Sequence, residues 1–292
     1  MPDPSSQFDD ASEVIAAKTR RGNDQLRRRW KAENPHASVL ILHGIAEHSG
    51  RYEHVGATLA AAGFDAWSFD HQGFGETEGP SGYVESFDTF LDDVEDMMSV
   101  ARSAGLPTVL LAHSMGGLIG FCYSISGRPA PDVLLLSGPA IGAEVPRWQR
   151  LAAPVLGRVA PKTFIKSEFD GGLLATDPDV GEVYRDDPLR VAGATAGLGF
   201  VLFQAMDAAQ ASIGELRVPT FVAHGGDDPI VPPHFTAPIG DLQVATRLEL
   251  PGLRHEVLNE PNWESTLGSM INFANGALGV RVKSSSPSSE EE

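Results

Sequence analysis

A serine between a strand pattern and a helix pattern is the residue of this chain with the clearest chemistry. Ser114 lies in the segment 109–117, which reads VLLAHSMGG. This is the sequence form of a nucleophile elbow, the sharp turn that holds a serine Oγ clear of its own backbone. The turn needs small neighbours, and Gly116 and Ala112 supply them, although the simple motif has glycine at position 112. We expect the turn to accommodate that methyl group, and the segment then predicts nucleophilic catalysis if a base and a carboxylate follow.

The base that a serine hydroxyl needs is a histidine, and the chain has nine. With a serine on a strand-to-helix turn, the chain order is serine, acid, histidine, so three histidines after Ser114 qualify. His224 ends a strand pattern and precedes the candidate acid, and His234 follows that acid too closely to reach back to the serine. His255 remains, in a loop between a strand and the last helix. Such loops, at the carboxyl ends of parallel strands, are where these sheets place their chemistry.

Two adjacent aspartates follow the strand pattern that His224 ends, and either a solvated turn or a catalytic acid explains the pair. We assign the acid to Asp228, because its spacing from Gly225 leaves room for a turn and Pro229 fixes the chain just beyond it. Asp227 is then the exposed turn residue. The expected role of Asp228 is to hold the histidine in one tautomer and to stabilise the imidazolium, without taking the proton itself.

An ester carbonyl attacked by the serine becomes an oxyanion, which needs two hydrogen-bond donors. One is the backbone N–H of Met115, at the N-terminus of the elbow helix where the helix dipole also favours negative charge. The second is the backbone N–H of Ile45, in the loop after the strand pattern Val39–Leu42. Losing one such donor typically costs about 3 kcal/mol of transition-state stabilisation. Because these donors belong to the main chain, a changed side chain at Ile45 would act only through shape.

The elements that position these residues alternate between strands and helices. The strand patterns are Arg27–Trp30 (half-exposed), Val39–Leu42, Phe64–Phe69, Thr108–Leu111, Val133–Leu136, Thr220–Ala223 and Ala245–Leu250. The helix patterns lie near 51–62, 85–104, 116–126, 233–243 and 261–277. This alternation predicts an α/β fold with a mostly parallel central sheet that helices cover on both faces.

One long interruption divides the chain into a core and a cap. The connection has roughly seventy residues, where a parallel crossover needs only a dozen or more, and long insertions of this kind usually form lids or binding elements. Within it, residues 198–206 are apolar nearly all round, which fits a small core under the cap or an apolar slot above the serine. The predicted divisions are a flexible segment at 1–20, a core at 21–141 and 217–279, a mainly helical cap at 142–216 inserted after the sixth strand, and a disordered acidic tail at 280–292.

Composition narrows the partners and the compartment. A formal net charge of −17 argues against nucleic acid and against non-specific binding to anionic membrane surfaces. The single Cys122 excludes an internal disulfide and fits a reducing compartment. The first fifteen residues have no basic start or apolar region of a signal peptide, and no run of 18 apolar residues suggests a membrane span. We therefore expect a cytoplasmic protein, and its oligomeric state stays open.

Two segments look like cofactor or metal motifs and fail on spacing. Residues 73–79 have one residue too many for a dinucleotide loop, and no helix pattern begins there. The pair His255 and Glu256 opens like a zinc-protease motif, but position 259 is asparagine, so the second ligand is missing. We expect neither a metal nor an organic cofactor.

Taken together, these residues make the chain resemble the monoacylglycerol lipases of the α/β-hydrolase superfamily and the related bacterial lysophospholipase-like hydrolases. The resemblance covers roughly residues 20–278. Its most specific segments are 43–52 (HGIAEHSGRY), 69–75 (FDHQGFG), 113–117 (HSMGG), 184–189 (YRDDPL) and 255–260 (HEVLNE). The resemblance implies an α/β-hydrolase fold, with Ser114, Asp228 and His255 as the catalytic triad and Ile45 and Met115 at the oxyanion hole.

The same resemblance implies where the polar end of a substrate would lie. Glu47, Arg51 and Tyr184 fall where the family gathers polar groups near the glycerol end. The middle of the cap, about 145–180, diverges too far to align, which leaves the acyl-chain preference open.

The resemblance and the residues agree on acyl transfer to water through an acyl-enzyme. An apolar cap above a serine, with polar groups at one end, suits an ester of one long acyl chain with a small polar alcohol. The predicted reaction is therefore the cleavage of a monoacylglycerol to fatty acid and glycerol, with transient contact between the cap and a membrane or micelle. The alternatives are a lysophospholipase, a general carboxylesterase, or a hydrolase-fold ligand receptor with little turnover.

Overall fold

Continuously apolar strands form the centre of the fold, as strands covered on both faces require. The computed structural model describes residues 11–166 and 170–280. Its strands are β1 (Glu13–Lys18), β2 (Asp24–Trp30), β3 (Ala37–Leu42), β4 (Phe64–Phe69), β5 (Thr108–His113), β6 (Val133–Ser137), β7 (Phe164–Lys166), β8 (Gly193–Thr195), β9 (Thr220–Gly225) and β10 (Ala245–Leu250). Its α-helices are α1 (Glu53–Ala61), α2 (Asp88–Arg102), α3 (Ser114–Ile125), α4 (Arg147–Val159), α5 (Pro178–Asp186), α6 (Ala196–Ala211), α7 (Ala237–Gly240) and α8 (Trp263–Ala277). Every residue of β3, β5, β6 and β9 is buried.

Eight of the strands form one sheet in the order β1-β2-β4-β3-β5-β6-β9-β10. The six strands from β4 to β10 in that order are parallel, whereas β1 pairs antiparallel with β2, and β2 pairs antiparallel with β4. The carboxyl ends of β3, β5, β6, β9 and β10 therefore meet at one edge of the sheet. Loops at that edge of a parallel sheet are the usual place for a binding or catalytic site.

Alternating side chains of the central strands pack against two helical layers. Leu40 and Leu110 point to the face that α2, α3 and α6 cover. Val39 and Leu111 point to the opposite face, which α1 and α8 cover. The period of two residues along each strand thus builds two separate apolar cores, one on each side of the sheet.

The cap lies between β6 and β9 and contains α4, α5, α6 and the antiparallel pair β7–β8. Helix α6 packs its buried Leu198, Leu202 and Ala209 into the same apolar core as α3. Much of the apolar segment 198–206 therefore serves packing. The predicted class, an α/β-hydrolase fold with a mainly helical cap after the sixth strand, is confirmed.

None of the helices in the described part of the chain has the length and apolar character that crossing a bilayer requires.

Two local expectations differ from the structure. Within the segment predicted to be flexible, 1–20, residues Glu13–Lys18 form β1 and pair with β2. This edge strand alternates between exposed and half-buried side chains and has only a weak apolar signal. The helix predicted at 233–243 is a 3₁₀ turn at Pro233–Phe235 followed by the short α7, because prolines interrupt the helical hydrogen bonds. Residues 1–10 and the tail predicted at 280–292, apart from Val280, lie outside the described residues.

Candidate active site

Ser114 occupies a strained turn where β5 ends and α3 begins. Its φ of +52° is in the left-handed region, which non-glycine residues rarely adopt. Two residues later, a Cβ at Gly116 would lie 2.5 Å from the carbonyl oxygen of Leu42 and 2.6 Å from that of His43. The first turn of α3 is therefore in direct backbone contact with the end of β3, and only glycine fits there. Strain of this kind at a cleft is a common feature of functional sites.

The departure from the simple motif at Ala112 is compensated on the neighbouring helix. Ala112 is fully buried in β5, and a Cβ at Gly120 of α3 would lie 3.0 Å from the Ala112 methyl group. Glycine at position 120 leaves the space that the methyl group fills. The turn therefore accommodates Ala112 without moving the serine.

The structure brings Ser114, His255 and Asp228 together from the ends of three strands. The His255 Nε2 atom lies 2.8 Å from the Ser114 hydroxyl oxygen, and its Nδ1 atom lies 2.7 Å from Asp228 Oδ2. All three side chains are buried, whereas the neighbouring Asp227 is exposed. This is the hydrogen-bonding order that a serine, a general base and an orienting carboxylate require. Their catalytic roles stay a prediction.

Asp228 is held as a carboxylate by its surroundings. Burial alone would raise its pKa, but hydrogen bonds from His224 and His255 outweigh burial and hold the pKa well below its usual range. Oδ1 also accepts the backbone N–H groups of Ile230, at 2.8 Å, and Val231, at 3.0 Å. These donors fix the carboxylate so that it can orient the histidine.

A second histidine adjoins His255 and stays neutral. The ring of His113 lies 4.9 Å from the ring of His255. Burial, together with the charge of His255, lowers the pKa of His113 to about 4. His113 is therefore neutral at physiological pH and does not compete with His255 for the serine proton.

The loop after β3 lies against the serine. A Cβ at Gly44 would be 3.2 Å from the Ser114 Cβ. Ile45 follows Gly44 and lines the small pocket above the serine, while Met115 is buried directly behind the serine in the first turn of α3. The two main-chain groups predicted for the oxyanion hole thus belong to segments on either side of the Ser114 side chain.

A buried cluster of charges flanks this pocket. Arg51 Nη1 lies 2.7 Å from Glu47 Oε2 and 2.8 Å from Glu256 Oε1, and its Nη2 lies 2.8 Å from Glu256 Oε2. Tyr52 donates its hydroxyl to Glu47 at 2.8 Å. The guanidinium of Arg51 also stacks 5.1 Å from the centre of the Tyr184 ring. One cation between two carboxylates leaves this cluster with a net charge of −1.

The cluster only partly matches the residues expected at the polar end of a substrate. Glu47 and Tyr184 line the pocket with Ser114, but Arg51 lies behind them and is absent from the pocket wall among the described residues. Glu256 lines the pocket and was missed. Glu256 follows His255 directly in the sequence, and this position could have indicated a place in the site. The pair was considered only as part of a zinc motif. Burial opposes the charge of Arg51, but Glu256 and Glu47 outweigh it and raise the Arg51 pKa well above its usual value.

The base of the cap is bonded to the histidine loop. Glu260 Oε2 accepts the backbone N–H of Thr176 at 2.9 Å, and its Oε1 accepts that of Arg254 at 2.7 Å. The backbone N–H of Glu256 donates to the Leu174 carbonyl at 2.7 Å. Residues 174–176 of the cap and residues 254–256 of the core therefore form one bonded unit.

Two connected cavities lie above Ser114. The pocket at the serine has a volume of only about 30 Å³. A larger cavity of about 520 Å³, called here the acyl cavity, shares Ile45 and Tyr184 with it. Side chains of α4 and α6, among them Leu156 and Phe203, line the acyl cavity. Gly199 and Phe203 of the apolar segment 198–206 line this cavity, and an apolar slot above the serine stays a prediction.

Comparison with known proteins gives the same class of protein. The family described as serine aminopeptidase, S33, matches residues 33–262. The chain is 31% identical to a monoacylglycerol lipase of Mycolicibacterium smegmatis over 248 residues, which cover 82% of this chain and 88% of that one. It is 30% identical to phospholipase YtpA of Bacillus subtilis over 243 residues, covering 80% and 93% of the two chains. The crystal structure of Paleococcus ferrophilus monoacylglycerol lipase superposes with a TM-score of 0.77 at 25% identity, covering 92% and 100%.

The fold and the site define a serine hydrolase of the α/β-hydrolase superfamily, and its enzymatic class is that of the carboxylic ester hydrolases. Within that superfamily, the chain belongs to the family of the monoacylglycerol lipases and the related lysophospholipase-like hydrolases.

Proposed function

We propose that the enzyme hydrolyses monoacylglycerols to fatty acid and glycerol through an acyl-enzyme on Ser114. The observation that carries the proposal is the Ser114 hydroxyl, bonded to His255 at 2.8 Å, at the foot of an apolar cavity with a polar cluster beside it. An acyl chain fits the apolar cavity and a small alcohol fits the polar end. The relationship to the Mycolicibacterium smegmatis monoacylglycerol lipase supports this substrate.

The proposed chemistry runs in two halves. Ser114 Oγ attacks the ester carbonyl while His255 Nε2 takes the hydroxyl proton, and the N–H groups of Ile45 and Met115 stabilise the oxyanion. His255 then returns the proton to the leaving glycerol, and an acyl-enzyme remains. Water, deprotonated by His255, attacks that ester and releases the fatty acid. Asp228 stabilises the imidazolium in both halves.

The charge cluster favours a neutral alcohol over an anionic head group. Glu47 and Glu256 line the pocket, and Arg51 neutralises only one of them, so a phosphate placed between the two carboxylates would meet a net negative charge in a poorly screened site. The next cation, Arg190, stacks 5.1 Å from the centre of the Tyr184 ring and lines the acyl cavity. Glycerol carries no charge and can donate hydroxyl hydrogen bonds to either carboxylate. An anionic lysophospholipid is therefore disfavoured, although the phospholipase relative keeps lysophospholipids among the alternatives.

We also propose that the cap contacts the lipid surface that supplies the substrate. Helix α4 exposes one apolar stripe, in which Trp148 is 68% exposed, Leu151 77% and Val159 81%. Contiguous exposed apolar side chains on a helix are a mark of membrane or protein contact. The stripe borders the acyl cavity through Trp148, so a lipid could pass from one to the other. A cytoplasmic location, argued from the single cysteine, stays a prediction.

A substrate panel tests the proposal. The panel compares a monoacylglycerol, a triacylglycerol, lysophosphatidylcholine, lysophosphatidylglycerol and a short nitrophenyl ester under one set of conditions. We expect the highest kcat/KM on the monoacylglycerol and complete loss in Ser114→Ala. A higher kcat/KM on either lysophospholipid would favour the lysophospholipase, and a higher one on the short ester would favour the general carboxylesterase. Tight ligand binding without product release would indicate a receptor.

A further inference from the structure

A second large cavity lies on the far side of α6 from the acyl cavity. Its volume is about 720 Å³, within the range of roughly 300–1,000 Å³ that is usual for small-molecule sites. Helix α6 and the last turns of α4 form its cap wall, and α3 and the loop 83–87 form its core wall. Its apolar lining includes Val84, Phe87, Ile125, Phe200, Val201 and Ala205.

This second cavity is separate from the catalytic site. Ala196, Gly199 and Phe203 of α6 line the acyl cavity. The α6 residues of the second cavity include Gly197, Val201, Gln204 and Ala208. Successive residues of a helix are about 100° apart, so these two sets occupy different faces of α6. None of Ser114, Asp228 and His255 lines the second cavity.

Close packing of the two cap helices closes the space between the cavities. A Cβ at Gly157 of α4 would lie 2.5 Å from the Phe200 Cβ of α6. Only glycine at position 157 allows α4 to approach α6 this closely, so the two helices are tightly packed at this point. A ligand of the second cavity therefore enters from its own mouth.

The mouth of the second cavity carries more positive than negative charge. The guanidinium of Arg158 lies 4.8 Å from the centre of the Phe200 ring, and the ammonium of Lys162 lies 5.8 Å from the centre of the Tyr83 ring. Both rings line the cavity, whereas Glu85 is the single acid in its lining. Two cations held over the aromatic walls make a local positive patch on a protein that is acidic as a whole.

We infer that the second cavity binds a long-chain fatty acid, with its alkyl chain among Val84, Phe87 and Ile125 and its carboxylate beside Arg158 and Lys162. A mostly apolar cavity with two cations beside it is complementary to a single alkyl chain with one negative charge. The inference rests on the proposed function only in that a fatty acid is the acid product of that reaction. Binding itself needs no turnover.

The only cysteine of the chain reports on the second cavity. Cys122 lines it, and burial raises the pKa of its thiol to about 12, so the thiol reacts slowly with alkylating reagents. The enzyme is first treated with hexadecyl fluorophosphonate, which blocks Ser114 and fills the acyl cavity. Palmitate below its micellar concentration should then slow alkylation of Cys122 by N-ethylmaleimide about fivefold at near-saturation.

Controls in the same assay separate the proposal from general effects of a surfactant. Hexadecanol, which has the same chain and no charge, should give little protection. Mass spectrometry of the fluorophosphonate adduct reports Ser114 independently, so a failure of the proposed catalytic role is seen apart from a failure of this site. An unchanged alkylation rate with palmitate, or equal protection by hexadecanol, would overturn the inference.

Variants at the mouth and in the wall test the binding directly, by equilibrium dialysis of radiolabelled palmitate with the blocked enzyme. Arg158→Glu should weaken binding about fivefold, as expected for an exposed charge contact. Ala208→Trp fills the cavity and should abolish binding. Ala211→Trp places the same side chain at an exposed position of α6 outside the cavity lining, and binding should persist. Equal binding by both tryptophan variants would contradict the assignment.

Discussion

Two regions of the molecule contrast in burial: the strand ends around Ser114 are buried, whereas the outer surface of the cap is exposed. At the strand ends, Ser114, His255 and Asp228 are buried and hydrogen-bonded to one another. On the cap, α4 leaves a stripe of large apolar side chains exposed, Trp148 and Leu151 among them. Proton transfer requires reacting groups within a few tenths of an ångström of one geometry, whereas lipid capture requires apolar surface with no fixed partner. Substitutions at the strand ends should therefore change kcat by large factors, whereas substitutions on the cap surface should change lipid binding by smaller factors.

The largest effect is expected at the serine. Ser114→Ala removes the proposed nucleophile and should lower kcat by about 10⁴-fold or more, since only the proposed oxyanion donors and substrate binding would still act. Steady-state hydrolysis of a monoacylglycerol measures this, with thermal unfolding to show an intact fold. Ser124→Ala, on the same helix, is the matched control and should keep wild-type rates. Wild-type rates in Ser114→Ala would end the assignment of the nucleophile.

A pair of adjacent aspartates tests the orienting role. Asp228→Asn should lower kcat by about 10⁴-fold, because the amide favours the wrong tautomer of His255. Asp227→Asn changes an exposed neighbour and should leave kcat within twofold, as is usual for surface substitutions away from a site. The same assay serves both. Comparable losses in the two variants would mean that the loop, rather than one carboxylate, supports the histidine.

A buried carboxylate on α2 should affect stability without affecting catalysis. Burial raises the pKa of Asp93 to about 6 in the folded state, from a model-peptide value of 3.8, although Arg21 contacts it at 2.5 Å. The folded state therefore binds more protons between pH 4 and 6, and this group lowers stability as pH rises through that window. In Asp93→Asn, the free energy of unfolding relative to wild type should rise by about 2.5 kcal/mol from pH 4 to pH 7.

Urea unfolding at the two pH values measures this difference. Asp88→Asn changes an exposed carboxyl on the same helix and is the matched control in both measurements. Monoacylglycerol hydrolysis by Asp93→Asn at pH 7 should match the wild type. A relative stability of Asp93→Asn that does not change with pH would contradict the raised pKa.

The charge cluster beside the serine should control the choice of head group. Glu256→Gln brings the net charge of the cluster from −1 to zero, so the preference for monoacylglycerol over lysophosphatidylglycerol should fall about tenfold. The ratio of kcat/KM on the two substrates measures this. Glu249→Gln, at a half-exposed position of β10, should leave the ratio unchanged. An unchanged ratio in Glu256→Gln would show that the cluster does not face the head group.

The smallest effect on chemistry is expected from the cap surface. Leu151→Asp places a charge in the exposed stripe and should weaken binding to neutral phosphatidylcholine vesicles about tenfold, with kcat on a soluble short-chain ester unchanged. Vesicle sedimentation measures the binding. Ser103→Asp adds the same charge just after α2, at the opposite edge of the sheet, and should have no effect. Equal binding by wild type and Leu151→Asp would exclude the stripe as the docking surface.

Sequence reasoning reached the fold and the residues at the strand ends because their local signals are strong. A continuously apolar strand followed by a small-residue turn has few alternatives, so β5 and β9 were predicted at Thr108–Leu111 and Thr220–Ala223, each two residues shorter than observed. Ser114 and Asp228 were chosen from the turns that follow. β10 was found within its observed bounds, Ala245–Leu250, and His255 follows it. The order of strands along the chain then placed these ends at one edge of the sheet.

Other features depended on tertiary packing that one sequence does not reveal. Gly120 makes room for Ala112, but predicting this contact requires knowing which turn of α3 faces β5. Glu256 faces the pocket while Arg51 lies behind it, and residue types alone do not distinguish the two positions. β1 was missed because a half-exposed edge strand has a weak apolar pattern. The second cavity combines two cap helices with a loop far away in the sequence.

The two bonds of Glu260, to Thr176 in the cap and to Arg254 in the core, have a consequence for how this enzyme can diverge. These bonds join the loop that carries His255 to the base of the cap, and they do not involve α4 (Arg147–Val159). Substitutions in the outer helix can then accumulate without being transmitted to the imidazole. If α4 docks on lipid as proposed, a lineage can change which surfaces the enzyme visits while its reaction chemistry is inherited unchanged.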